Sequence, residues 1–334
     1  MMNLRFALLA LVLSILPIAS SSAQSNSINV LPRRSVDMAR FGLNAFVNDP
    51  RYGTVRSQLR TACGTLGVRH LRVLFQWNDQ VQPTPSAPID FSFYDDIARN
   101  IPRGCTALVV VAGLPSWMSN ESNWIGGSAR STFVEKWWRK VLERYGANRR
   151  LSAWQLWNEP NDENNPHNTV LGVLSPAAYV ELGALADNVR DEVAPTRSLV
   201  MAATTAINQN FPAAYNYNRD LLELGATAFF DVWAVHYYGV QLERLLLGGI
   251  DQFLQTVGIP IWMTESGEKG ASRQLNYVRR LWPFLRQRVP GIARMYYYSF
   301  TEDTSETNSY AILNKNLRRS ESDLYRHLVS LKGK

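Results

Sequence analysis

The chain has 334 residues, is 46% hydrophobic, 11% aromatic and 19% charged, and carries a formal net charge of +7. Those proportions exclude a disordered chain, two cysteines exclude a small disulfide scaffold, and 20 Gly and 16 Pro spread along the sequence exclude collagen-like and low-complexity classes. The basic residues form no long run, since Arg149-Arg150, Arg279-Arg280 and Arg318-Arg319 are only pairs; a mildly basic surface is expected, and no nucleic-acid partner.

The first residues read as a targeting segment. Arg5 gives a positive start, Phe6 to Ile18 is nearly all apolar, and Ser21 and Ala23 supply small residues ahead of a cleavage point. This pattern predicts a signal peptide over residues 1–23 and a secreted or periplasmic mature chain. The apolar run is short of the ~20 residues that span a bilayer; an uncleaved N-terminal anchor is the alternative, and no later stretch is long and apolar enough to span. After cleavage no membrane association is expected. In an oxidising compartment, Cys63 at the end of a predicted helix and Cys105 just before a predicted strand would lie at the same end of a parallel sheet. A Cys63–Cys105 disulfide is the expectation, with two free, partly buried thiols as the alternative.

Strand candidates then follow in chain order at Phe41–Phe46, His70–Trp77, Ala107–Gly113, Ala153–Asn158, Leu199–Thr204, Asp231–Tyr238, Ile259–Glu265 and Arg294–Phe300. Most are apolar without strict polar alternation, as strands covered on both faces should be. Helical patterns fall between them. Thr132–Tyr145 puts Phe133, Trp137, Val141 and Leu142 on one stripe. Ser175-Pro176 reads as an N-cap with proline in the first turn of a helix reaching about Val193. Asn276–Arg288 repeats the pattern around Pro283, where a proline tends to kink a helix, and Ser320–Leu331 closes the series. Eight β–α units over this length predict a single α/β domain, a (β/α)8 TIM barrel over 24–334. An open doubly wound sheet is the runner-up, but no glycine-rich phosphate turn follows the first strand.

In such a barrel the site lies at the C-terminal strand ends. Those ends are rich in aromatics, amides and acids, which suits a hydroxyl-rich ligand with apolar faces. Trp154-Gln155-Leu156-Trp157-Asn158-Glu159-Pro160 ends the fourth strand in a carboxylate followed by proline, and Ile261-Trp262-Met263-Thr264-Glu265-Ser266-Gly267 repeats the arrangement three strands later. Strands four and seven of a closed barrel bring the two glutamates together over its centre. One acid to protonate a leaving oxygen and one carboxylate at the anomeric carbon are what glycoside cleavage needs, and close carboxylates hold their pKa values apart. The plain alternative is that each glutamate caps a helix or pairs with a surface arginine.

The Trp-Asn-Glu-Pro and Thr-Glu-Ser-Gly segments resemble the retaining glycoside hydrolases of clan A. More narrowly, the chain is similar to family 39 and its bacterial relatives. Leu66-Gly67-Val68-Arg69-His70-Leu71-Arg72 through Trp77 resembles that family's second strand. Asp90-Phe91-Ser92-Phe93-Tyr94-Asp95 resembles its next helix start, and Leu114-Pro115-Ser116-Trp117 its third-strand exit. Asp231-Val232-Trp233-Ala234-Val235-His236-Tyr237-Tyr238 resembles its sixth strand. The resemblance implies Glu159 as general acid/base and Glu265 as nucleophile. It also implies Asn158 on the sugar 2-hydroxyl, Tyr238 holding Glu265, His236 and Arg72 bracing the carboxylates, and Trp77 and Trp117 stacking on sugar rings, unless these tryptophans are barrel packing. Asn44, at the end of the first strand, joins the candidate substrate-binding residues.

The chain departs from the family twice. Tyr296-Tyr297-Tyr298-Ser299-Phe300 stands where the clan often has tryptophan under the reacting sugar, and the sequence ends after its eighth helix without the β-sandwich of family 39 xylosidases and iduronidases. The implied substrate is a polysaccharide or oligosaccharide, a bacterial exopolysaccharide or plant polymer, attacked in endo fashion. No cofactor is implied. Four scattered histidines argue against a metal cluster; Asp162 and Glu163 could make a weak cation site or, as a polar loop, shape a substrate wall. A non-catalytic carbohydrate-binding barrel and a transglycosylase using the same residues are the alternatives.

Overall fold

A computed structural model describes residues 28–301 and 308–332; the expected signal peptide lies outside these residues. Eight parallel strands appear where the apolar runs predict them: β1 (Phe41–Asn44), β2 (His70–Gln76), β3 (Thr106–Ala112), β4 (Leu151–Leu156), β5 (Ser198–Val200), β6 (Trp233–Tyr238), β7 (Ile261–Gly267) and β8 (Ile292–Tyr297). Their order is β5-β4-β3-β2-β1-β8-β7-β6, each pairing in parallel with its neighbour in that order. A parallel bridge between Val200 and Val232 joins the two edges, backed by the amide of Met201 donating to the Val232 carbonyl at 3.0 Å. The sheet is therefore a (β/α)8 barrel.

Strand alternation sorts the side chains into two layers. One layer points inward, where Leu108, Ala153, Val200, Val232, Ala234, Trp262 and Tyr296 pack into a small cluster filling the barrel. The other points outward into the main core beneath the helices. The stripe expected over Thr132–Tyr145 is buried at Phe133, Trp137, Val141 and Leu142, but that helix is longer than expected, running through Ala129–Phe133, a π turn at Val134–Trp138, and Arg139–Tyr145. Ser175 takes the N-cap position of Pro176–Val193, although its hydroxyl makes no capping bond. Gln274–Arg288 continues through Pro283 as one helix. At the N-terminal ends of β2 and β3, opposite the barrel mouth, Cys63 and Cys105 form a disulfide. No helix among the described residues is long and apolar enough to cross a membrane.

Candidate active site

The mouth of the barrel is built first by an unusual backbone at the end of β4. Trp157 has φ +72° and Glu159 φ +46°, left-handed conformations that cost about 1–3 kcal/mol each in a side-chain-bearing residue. The surroundings hold them in place. The Trp157 amide donates to the Val111 carbonyl at 3.0 Å, and the Glu159 amide to the Ala203 carbonyl at 2.9 Å. The Trp157 indole donates to Asn168 Oδ1 at 2.7 Å, and Asn168 Nδ2 donates back to the Glu159 carbonyl at 2.8 Å. The turn lifts Asn158 and Glu159 out of the strand's alternation and over the barrel centre.

Glu265 reaches the same point by a different device. Between β6 and β7 the register slips, so Val235 pairs with Met263 and His236 with Glu265. Thr264 is left over as a bulge, and a bulge re-aims the next side chain. Trp262 and Glu265 thus both face inward despite opposite parity. Only 10% of the Glu265 side chain is exposed. Tyr238 donates to its Oε2 at 2.6 Å, and Arg72 Nη1 to its Oε1 at 2.6 Å. Burial pushes the Glu265 pKa up, but the His236 ring, the Arg72 guanidinium and the Tyr238 hydroxyl outweigh it and hold the carboxyl below the usual glutamate value. The same contact works on Tyr238, whose phenol is pushed well up by burial and then by the Glu265 charge, so it stays a proton donor.

Arg72 ties four strands together beneath the site. Its Nε donates to Gln155 Oε1 at 3.0 Å, Nη1 to Asn44 Oδ1 at 2.7 Å as well as to Glu265, and Nη2 to Asn158 Oδ1 at 2.6 Å. It is 1% exposed, and a buried guanidinium is tolerated when its donors are used in this way. Asn44 is itself fully buried, its amide spent on the carbonyls of Thr264 at 3.0 Å and Tyr297 at 3.3 Å. Asn44 and Arg72 therefore position the carboxylate and amide above them, and of the two only Arg72 lines the cleft.

His236 sits between the two acids, with Nδ1 2.9 Å from Glu159 Oε1 and Nε2 3.6 Å from Glu265 Oε1. One oxygen of each glutamate and one ring nitrogen all lie within 4.8 Å of one another, a set that could hold a metal ion. The donors to Glu265 already occupy both its oxygens, and the adjacent guanidinium repels a cation, so the set fits carboxylate chemistry better than metal binding. On the loop after Glu159, Asp162 Oδ1 accepts from the Asn164 amide at 3.0 Å and Asp162, Asn165 and His167 line the cleft.

The two tryptophans take the packing arrangement, the alternative to sugar stacking. Trp77 is fully buried; its ring lies stacked 6.1 Å from that of Trp137, and its indole donates to Gln82 Oε1 at 3.0 Å. Trp117 is half-buried, edge-on to Trp77 at 5.1 Å, with its indole donating to the Gln82 carbonyl at 2.9 Å. Both are packing between the second and third strand exits, and neither lines the cleft of about 780 Å³ above the glutamates. Phe46, Leu74 and Trp157 line it instead, with Gly113 (φ +84°), where a Cβ would come within 2.7 Å of the Trp77 carbonyl. At the β8 exit Tyr298 packs 6.0 Å from Tyr238 and 6.1 Å from Phe46. Two supports have no counterpart in the sequence reading. Gln155 holds Arg72, and Asn208 grips Tyr238 by both backbone groups, donating to its carbonyl at 2.6 Å and accepting its amide at 3.1 Å.

Comparisons with known proteins agree with this geometry. The family model of the glycosyl hydrolase catalytic core matches residues 131–323. No curated protein matches the chain. Among solved structures, the barrel is similar to a family 39 glycoside hydrolase from the gut symbiont Bacteroides cellulosilyticus WH2 (TM-score 0.59, 15% identity), covering 89% of this chain and 64% of that one. It is similar also to an endo-1,4-β-D-mannanase from Thermotoga petrophila RKU-1 (TM-score 0.58, 17% identity; 88% and 99% covered). A monomeric β-xylosidase from Caulobacter crescentus CB15 is a third (TM-score 0.57, 15% identity; 90% and 69% covered). These likenesses carry the fold, and the family model carries the membership: the chain belongs to the glycosyl hydrolase catalytic core family and is a glycoside hydrolase.

Proposed function

We propose that the protein cleaves a polysaccharide or oligosaccharide with retention of configuration, using Glu265 as nucleophile and Glu159 as general acid/base. The observation that carries this reading is the pair itself. An oxygen of each carboxylate lies within 4.8 Å of the other, the short spacing of retaining enzymes, at about 5–5.5 Å, and not the ~6.5–9.5 Å that admits a water in inverting ones. Glu265 is fixed by three neighbours and held as a carboxylate. Glu159 has 28% of its side chain exposed and faces the space a leaving group would occupy.

In the first step a Glu265 oxygen bonds to the anomeric carbon as the glycosidic C–O bond breaks, and Glu159 gives its proton to the departing oxygen. In the second, water attacks the same carbon, Glu159 takes the water's proton, and the ester bond to Glu265 breaks. Asn158 spends its Oδ1 on Arg72, leaving Nδ2 to donate to the sugar 2-hydroxyl, a contact that strengthens in the transition state. The Cys63–Cys105 bridge and the N-terminal targeting pattern support export to the periplasm or beyond.

The test is hydrolysis across a panel of polysaccharides by wild type, Glu159→Gln and Glu265→Gln, with products identified by mass. Oligosaccharides released by wild type alone are expected, their lengths distinguishing endo from exo action. Turnover that survives Glu265→Gln would remove the proposed nucleophile.

A further inference from the structure

The catalytic cleft does not end at the glutamates. A second lobe of about 1000 Å³ opens beside it, running over the exits of β1 and β2 to the start of the helix Ser92–Asn100. Phe46, Leu74 and Gln76 line both lobes, so the two are one groove. The second lobe has the chemistry of a sugar-binding wall. Asn48, Gln76 and Gln80 line it and are exposed, and their side-chain amides make no hydrogen bond to any described residue, so their donors and acceptors are open to hydroxyl groups. Phe93 is 37% exposed at its edge, an aromatic face of the kind that stacks on a pyranose ring.

Charge narrows the ligand further. Among the described residues no lysine or arginine lines the second lobe, and its one carboxylic acid is Asp90. Among the described residues the single arginine of the first lobe is Arg72, with four of its five N–H donors committed and 1% of it exposed, beside the carboxylates of Glu159, Asp162 and Glu265. The formal charge of +7 therefore lies elsewhere on the chain. A uronate or sulfate group in this groove would meet carboxylates and no free guanidinium or ammonium.

We infer that the second lobe binds further units of a neutral glycan chain, making the enzyme selective for uncharged oligosaccharides longer than the one sugar held at the glutamates. This inference rests on the catalytic reading above. It is tested by kcat/KM for neutral β-linked gluco-, manno- and xylo-oligosaccharides and for oligogalacturonides, from two units to about six. Wild type, Asn48→Ala, Gln80→Ala and Glu265→Gln are compared, with a panel of aryl monosaccharide glycosides alongside. The expected result is a rise of about ten-fold or more with length for one neutral series, flattened several-fold in Asn48→Ala and Gln80→Ala, and no comparable rise for the uronates. A flat length series, a rise untouched by both substitutions, or preference for the uronates overturns the inference while wild-type turnover and its loss in Glu265→Gln leave the catalytic reading standing. Turnover that persists in Glu265→Gln, or no turnover of any glycoside, overturns both.

Discussion

Glu265 and Glu159 leave two strands of one barrel and flank a single histidine, at 3.6 and 2.9 Å from its two ring nitrogens, yet they are held in opposite ways. Glu265 is sunk among Arg72, Tyr238 and His236, with each oxygen already accepting a hydrogen bond. Glu159 stands on a strained turn, is part exposed, and among the described side chains hydrogen-bonds His236. The difference is one of surroundings, since the residues are chemically the same. A carboxylate that must stay ionised and in line with a carbon needs fixed donors. One that must pass a proton in both directions needs an open side and a partner that does not clamp it.

That contrast can be broken by substitution. Glu265→Gln, which keeps the shape and removes the proposed nucleophile, is expected to lower kcat by about 10⁴-fold or more. Glu159→Gln should spare the first step for substrates with good leaving groups, which need no proton; equal losses on good and poor leaving groups would erase the distinction between the two acids. Arg72→Met removes the charge under Glu265 and strands the side chains of Asn44, Gln155 and Asn158. It should destabilise the fold by about 3–5 kcal/mol, read by denaturant unfolding.

Smaller changes sharpen the same point. Tyr238→Phe should lower kcat by about 10²-fold and move the acid limb of the pH profile upward. The sign follows from the direction of the shift. Glu265 is held below its ordinary value of about 4.3, so the stabilisation by its donors is fully present above that pH and is lost as pH falls through the lower folded value. Losing one donor brings that loss, and the limb, to higher pH; an unmoved limb would assign it to another group. Trp77→Ala should cost about 3–5 kcal/mol of stability with KM unchanged, whereas a sugar-stacking tryptophan would raise KM. Replacing Cys63 and Cys105 by alanine should cost about 2–4 kcal/mol and leave turnover of the folded enzyme intact, because the bridge closes the end of the barrel away from the mouth.

The pattern of what could be read beforehand has a physical basis. All eight strands were legible because strands covered on both faces are apolar throughout. The strand expected at Leu199–Thr204 shrank to β5, Ser198–Val200, because the barrel closes there through a single bridge and no ladder extends it. Glu159 and Glu265 were legible because each ends a strand in a distinctive motif. Of the two roles open to Trp77, sugar stacking or barrel packing, its parity pointed to packing: Arg72, Leu74 and Gln76 point inward, so Trp77, on the opposite parity, belongs under the helices with Trp137. The bulge at Thr264, which turns Glu265 inward, and the grip of Asn208 on Tyr238 come from register and loop contacts between residues far apart in the chain, which have no periodic signal.

The central claim is that Glu265 attacks the sugar. Its most direct test is to incubate the enzyme with a panel of activated 2-deoxy-2-fluoroglycosides, chosen around whichever sugar it hydrolyses, and to map the labelled peptide by mass spectrometry. The account predicts a single covalent glycosyl adduct on Glu265, absent in Glu265→Gln. An adduct on Glu159, or inverted product from an active enzyme that accumulates no adduct, would contradict it.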